Sequence, residues 1–528
     1  ATINVSGLDA TTYAVEDSTV SGTNDDTVAL TGFENASALR LANNDTDLDV
    51  SVTTDGSATS GDAFALQVAG GSTGDVTVDD AAGDGVVTLN VATSGAASTL
   101  ASVNAGTDNT TINVTGDQGL TITGALENTV LTFDASGNSG AVDVNATAAS
   151  TKTFTGGSST SDKLSLNMAV SVASGMAVTG FETVAVSAAA AATLDLDLIS
   201  GLTTLQVDSN GAPDTALTLD DVADGVALNY VGGGTDAAST FNDVTFVLKD
   251  ATGTTANGDA DSVVINVNNA GVATGAANDG SLGDVVAAGI ENVTLNFADF
   301  SDADTDNVTI AAAETLTVTG ATDVTFGGTN DFSNLETLTA GDMTGDFNIG
   351  TLTGAVAALT ATFGAGADTV TNGTVTGTQT INMGAGDDTV TVAETTNGTV
   401  TFNLGDGDDG ITISTNDDAN DTININGGDG TDILTSAGAA SVDSLTNVEQ
   451  IRLSGTNTLN IDTPNDYDDT IEVFDLSGGT AGLQFTTDAA GNSIDLSNLT
   501  FAGWTSGTDV LTITGTTGAE TITGSSVA

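Results

Sequence analysis

Apolar and polar positions alternate along most of this chain, in runs too short for helices. Thr111–Thr115 (TINVT), Leu120–Gly124 (LTITG), Val130–Phe133 (VLTF) and Ala141–Val144 (AVDV) follow one another closely, with Gly, Asn or Asp between them. A period of two places successive side chains on opposite faces, so these segments predict short, half-buried strands. The best helical candidate, Ser187–Ala192, is too short and lacks a capping pattern. Many short strands with tight turns suit a sandwich, a barrel or a solenoid, and internal repeats decide among them.

The clearest repeat lies in the last third. Gly364, Gly366, Asp368 and Val370 recur as Gly384, Gly386, Asp388 and Val390, then as Gly405, Gly407, Asp409 and Ile411. A fourth copy is Gly428, Gly430, Asp432 and Leu434, preceded by Gly427. Each copy reads G-x-G-x-D-x-U, where U is aliphatic. A second, looser repeat sets Glu after an apolar residue and before Asn, Thr or Gln, at Glu34, Glu127, Glu182, Glu291, Glu336 and Glu449. Two readings stand for these glutamates: acceptors for backbone N–H groups at a corner, or metal ligands.

Composition narrows the function. There are 5 Lys and Arg against 71 Asp and Glu, a net charge of −66, with no Cys and no His. Disulfides, thiolate or imidazole metal sites and triads needing a histidine base are excluded. Five cations cannot neutralise a phosphate track, so nucleic acid is not an expected partner, and an anionic membrane repels the chain. No apolar run reaches the length of a membrane span, so no membrane insertion is expected. With 39% hydrophobic residues the chain is not an acidic disordered tail. Such acidity serves either a halophilic surface or the holding of many divalent cations. The chain opens at Ala1 without a leader pattern, which suggests a mature product or an excised fragment.

The four glycine–aspartate blocks resemble the calcium-binding nonapeptide repeat of RTX proteins, which folds as a parallel β-roll. They depart from it in two ways: only Gly427-Gly428 keeps the doubled glycine, and the copies are not in direct tandem. One edge of each solenoid turn would keep the glycine loop. The other edge would carry segments such as 372–376 and 397–401. With abundant Thr, Ala, Gly, Asn and Asp and no Cys, the chain is similar more broadly to RTX-type bacterial S-layer proteins. The resemblance implies type I secretion, a bacterial cell-surface location, Ca2+ as cofactor, a homopolymeric lattice and a cell-surface glycan as a further partner. A block-like segment, Gly515 to Ile522 with Glu520 in the Asp place, ends close to the terminus. It leaves little room for a secretion signal, hence the expectation of a fragment.

The expected fold is therefore all-β, with parallel β-solenoid or β-roll segments and further β-rich regions. The divisions read from the sequence are 1–150, 151–345, a calcium-binding roll at 346–440, and 441–528. Calcium takes six to eight oxygens from carboxylates and carbonyls. The expected ligand set is Gly364, Gly366, Asp368, Gly384, Gly386, Asp388, Gly405, Gly407, Asp409, Gly428, Gly430 and Asp432. Ions would sit between Asp368 and Asp388, Asp388 and Asp409, and Asp409 and Asp432, with Val370, Val390, Ile411 and Leu434 stacked in the core. Weaker acidic groups are Asp45, Asp47 and Asp49; Asp299, Asp302, Asp304 and Asp306; Asp466, Asp468 and Asp469; and Asp259 with Asp261. Asp45, Asp47 and Asp49 alternate, so an extended strand would set all three on one face, where they repel one another without a cation. Each of the other groups is a calcium loop or a solvated turn. Paired carboxylates also suit a glycosidase. A lone Trp504 and the scattered Arg40, Lys152, Lys163, Lys249 and Arg452 argue against sugar binding, so no enzyme is expected. The alternative to a lattice subunit is the stalk or binding region of an RTX adhesin.

Overall fold

The computed structural model describes the chain apart from residues 17–25, 34–36, 45–47, 56–61, 81–84, 189, 210–215, 224–225, 233–243, 249–260, 269–279, 283–284, 298–301, 306, 353–357, 374–376, 394–397, 415–421, 455–457, 463–470, 477–479, 487–492, 516–520 and 525–528. Strands dominate, every named strand pair is parallel, and the one helical element described is the short 3-10 turn Leu196–Leu198. The chain divides into two compact units, Ala1–Val231 and Gly232–Ala528. Each is a parallel β-solenoid.

In the first unit, one sheet stacks Leu48–Thr54, Gly71–Asp79, Ser98–Asn104, Leu120–Ala125, Val142–Thr147, Lys163–Met168 and Thr183–Ala188 in chain order. A second sheet stacks Ala63–Val68, Thr88–Thr93, Thr111–Gly116, Thr132–Asn138, Thr153–Thr155 and Ala177–Thr179, between the strands of the first. Register between turns lines up like residues. Phe64, Leu89, Ile112, Phe133, Phe154 and Val178 form one inward column, and all are buried. Burial of each such side chain contributes about 1.5–3 kcal/mol. The strand expected at Val130–Phe133 starts later, at Thr132. Val130 instead closes a turn, its N–H donating to the Glu127 carbonyl (3.0 Å). Ser187–Ala192 is split between two strands, as its lack of a cap implies.

The second unit repeats this plan. One sheet runs from Ser262–Asn268 through Asn292–Phe297, Thr315–Gly320, Thr337–Thr339, Ala358–Thr362, Thr378–Asn382, Thr399–Asp406 and Thr422–Asp429 to Ser444–Thr446. The other includes Asp323–Phe326, Phe347–Leu352, Thr369–Asn372, Thr389–Val392, Gly410–Ile413, Ile433–Ser436 and Gln450–Leu453. Val370, Val390, Ile411 and Leu434 pair in register and are each 0% exposed, so the expected core ladder forms. The glycine loops connect the first sheet to the second.

Candidate metal centre

The glycine loops stack so closely that only glycine fits. A Cβ on Gly384, Gly405 or Gly428 would lie 2.0, 1.9 or 1.9 Å from the carbonyl oxygen of Gly364, Gly384 or Gly405 one turn back. The second column is equally tight: Gly386, Gly407 and Gly430 meet the carbonyls of Gly366, Gly386 and Gly407 at 2.2, 2.0 and 1.8 Å. Gly384, Gly405 and Gly428 also hold φ of 105°, 113° and 120°, a region that side chains disfavour. At the first block, Gly364 and Gly366 abut the Met343 and Gly345 carbonyls in the same way. All the glycines of the blocks therefore serve one purpose, close passage of consecutive loops.

Behind these loops the aspartates form a ladder. The N–H of Asp368 donates to Asp388 Oδ1 (2.7 Å), that of Asp388 to Asp409 Oδ1 (2.7 Å), and that of Asp409 to Asp432 Oδ1 (2.9 Å). At one end, Phe347 N–H donates to Asp368 Oδ1 (2.7 Å); at the other, Asp432 N–H donates to Glu449 Oε2 (2.8 Å). The four aspartates are 0 to 2% exposed. Their second oxygens differ. Asp368 Oδ2 accepts from Gly364 N–H (3.1 Å), whereas Oδ2 of Asp388, Asp409 and Asp432 is buried with no hydrogen-bond partner.

Burial is the main reason these carboxyls resist ionising. It pushes Asp368 and Asp432 up to about 6 and, with repulsion from Asp368 and Asp409, Asp388 up to about 8; Asp409 is raised too. Backbone donors pull the other way but lose. An unpaired buried oxygen costs about 1–3 kcal/mol, more when charged. The three bare oxygens stand in successive turns, and carboxylate oxygens are of the type that hard cations take. Among the described residues, however, the group of three acids whose oxygens converge within 4.8 Å is Asp195, Asp197 and Asp221, and not this ladder. Outside the ladder lies a second row of exposed acids: Asp346, Asp387 and Asp408 accept from the N–H of Ala367, Asp408 and Thr431 at 2.7, 2.9 and 2.9 Å.

At three of its five described positions the Glu repeat takes the corner role. Glu182 Oε2 accepts Asp162 N–H (3.0 Å), Glu291 Oε2 accepts Asp261 N–H (3.1 Å), and Glu449 ends the aspartate ladder. Glu34 lies outside the described residues. So do Asp45, Asp47, Asp259, Asp299, Asp306, Asp466, Asp468, Asp469 and Glu520. Asp302 and Asp304 lie on the strand Asp302–Thr305, paired with Asp323–Phe326, so the acidic loop expected there is a strand instead. Asp49 sits on an outward strand position and accepts Asp75 N–H (2.9 Å). Of the opposite edge, Asn372 ends a strand fully buried, and 374–376 and 397 lie outside the described residues.

Two features escaped the sequence reading. Asp162 is 0% exposed and repeats the ladder in the first unit, accepting from Val142 N–H (2.8 Å) and Gly157 N–H (2.7 Å). The preceding Gly156-Gly157 pair was the available signal. Asp195, Asp197 and Asp221 converge, their carboxylate oxygens within 4.8 Å of one another. Parallel pairing of Ala192–Asp195 with Leu217–Val222 brings them together, which spacing along the chain does not reveal. No family model, no curated protein and no solved structure matches the chain.

Proposed function

We propose that this chain is a calcium-dependent structural protein of the bacterial cell surface, a lattice subunit of the S-layer type. The observation that carries the reading is the row of buried, partnerless Oδ2 atoms on Asp388, Asp409 and Asp432. Carboxylates one strand spacing (~4.8 Å) apart repel by about 3 kcal/mol at an effective dielectric near 20. A cation between turns replaces that repulsion with attraction and locks consecutive turns together. Gly384, Gly386, Gly405 and Gly407 would supply carbonyls, and the aspartates would supply carboxylates. Because the unfolded chain has no such site, ion binding adds to folding stability. A stack of turns fastened in this way forms a stiff module suited to a load-bearing layer, and the RTX-like blocks and extreme acidity agree with secretion into a calcium-rich exterior.

The test is titration calorimetry of the full chain with calcium after chelation, followed by electron microscopy of the loaded protein. The expectation is saturable binding that Asp388→Asn weakens strongly, and two-dimensional sheets in the loaded sample. An absence of saturable binding would overturn the calcium reading. Isolated rods in place of sheets would overturn the lattice reading.

A further inference from the structure

Two neutral amides lie in the core of the second unit with nothing in the protein to bond. Asn372 is 0% exposed and Gln379 1%, and Asn372 Oδ1, Asn372 Nδ2 and Gln379 Oε1 have no hydrogen-bond partner. They stand at the edge away from the glycine loops, where the strand Thr369–Asn372 ends and the strand Thr378–Asn382 begins.

Register sets this pair apart. Asn372 lines up with Leu352 in the turn before and with Val392 and Ile413 in the turns after. Gln379 lines up with Leu359 before it and with Val400 and Ile423 after it. All six of these neighbours are buried. The two inward places at this edge are therefore Leu and Leu, Val and Val, or Ile and Ile in the adjoining turns, and Asn and Gln in one turn alone. Both places changed together, and both changed to an uncharged amide.

A buried amide without a partner loses its hydration and gains nothing in return. Protein interiors meet such groups with ordered water where the chain itself supplies no partner. The free atoms name the guest. Asn372 Oδ1 and Gln379 Oε1 accept, while Asn372 Nδ2 donates. A cation suits the two carbonyl oxygens and is repelled by the Nδ2 hydrogens, and an anion has the reverse difficulty. Neither side chain carries a charge to offset that of an ion. Water donates and accepts at once, and it is small enough for a place walled by Leu352 and Val392.

We infer that Asn372 and Gln379 hold ordered water inside the solenoid, bridging the two amides. The inference rests on neither calcium nor a lattice. At the edge opposite the aspartate ladder, this water joins the end of one sheet's strand to the start of the other's.

The test uses the full chain in calcium. Oxygen-17 relaxation dispersion counts water held inside a protein for longer than the protein takes to tumble. Asn372→Leu combined with Gln379→Leu copies the preceding turn, and it should lose about one or two such waters relative to wild type. Denaturation supplies a sign. Where water bridges the amides, either single Leu strands the other amide and should lower the folding equilibrium constant by about tenfold. The double variant should recover most of that loss, because both partners are then apolar. Dry, unbonded amides require the opposite: each Leu removes an unpaired group, so each single variant is more stable than wild type, and that result overturns the inference. An unchanged water count in a folded double variant overturns it as well. If the double variant does not fold, a high-resolution crystal structure of the wild type decides the matter. Water within hydrogen-bonding distance of both amides supports the inference. A dry core, amides bonded directly to each other, or a metal ion on Oδ1 and Oε1 overturns it.

Discussion

Asp162 and Asp409 occupy equivalent places in two solenoid units, yet their carboxylates meet different fates. Both follow glycines, both are fully buried, and both accept the N–H of the turn before. Both columns also finish on a glutamate that accepts the next backbone donor, Glu182 in one and Glu449 in the other. The difference lies in the second oxygen. Gly157 N–H completes Asp162, while Asp409 Oδ2 has no partner. Asp368 resembles Asp162, since Gly364 N–H reaches its Oδ2. Where the loop glycine takes a left-handed φ, at Gly384, Gly405 and Gly428, the oxygen behind it is left bare. A backbone donor thus closes the turn at Asp162 and Asp368, and the same architecture leaves the Oδ2 atoms of Asp388, Asp409 and Asp432 without a donor.

The largest expected contrast is in the response to calcium removal. Hydrogen exchange on the full chain should show protection of residues 384–434 collapsing in EDTA and returning with calcium. Protection of Lys163–Met168 should stay unchanged. Saturation at a thousandfold over the dissociation constant is worth about 4 kcal/mol, enough to change exchange by orders of magnitude. Equal protection of both segments in EDTA would erase the comparison.

Substitution sharpens it at a smaller scale. Asp162→Ala leaves the Val142 and Gly157 donors buried without an acceptor, at about 1–3 kcal/mol. That loss should be the same with and without calcium, as read by chemical denaturation. Asp409→Ala should instead abolish the calcium-dependent increment and cost less in EDTA, because removing one buried acid relieves its neighbours. A calcium-dependent cost at Asp162 would show that the satisfied turn also takes an ion.

Acidity separates the oxygens further. The folded-state values of Asp368, Asp388 and Asp432 are raised to about 6, 8 and 6 from 3.8. Between these limits the folded chain holds protons that the unfolded chain has released, so stability must fall as pH rises. Without calcium, unfolding of the second unit should therefore become easier from pH 4 to pH 8. Calcium should reverse the trend at the upper end, where it replaces the protons. A flat calcium-free profile would mean that these carboxyls ionise freely.

Much of this was written in the residues. Alternation gave the strands, the glycine–aspartate spacing gave the stacked loops, and Val370, Val390, Ile411 and Leu434 fell into one column because the blocks share a frame. The bare oxygens were not legible, because their state depends on glycine φ and on donors supplied by the adjacent turn. Asp302 and Asp304 misled for a related reason: an alternating acidic run matches the opening of a calcium loop and equally matches a strand, and pairing with Asp323–Phe326 decides for the strand. The Asp195–Asp197–Asp221 group needed the register between turns, which varying loop lengths hide.

The smallest effect expected lies in the first unit, whose buried orphan has the opposite sign. Lys152 closes the turn that begins at Ala149, ahead of Thr153–Thr155, and is 3% exposed. Its Nζ has no hydrogen-bond partner, and the neighbouring turns bury Val130 and Met176. Burial pulls its ammonium below the usual lysine range. A calcium ion is no remedy for a buried cation, so this site lowers stability with nothing bound to offset it. Replacing such a group by an apolar side chain of similar length removes the desolvation penalty and keeps the packing. Lys152→Met should therefore stabilise the first unit, by about 1 kcal/mol, and the gain should be the same in EDTA and in calcium. It should also shrink as pH approaches 10, because the folded lysine gives up its proton before the unfolded one and stability of the wild type rises with pH there. Denaturation midpoints at pH 7 and pH 10 measure both. A destabilised Lys152→Met would mean that the ammonium is held by an interaction strong enough to outweigh its burial, and the contrast between a unit with a trapped cation and a unit with trapped acids would fall.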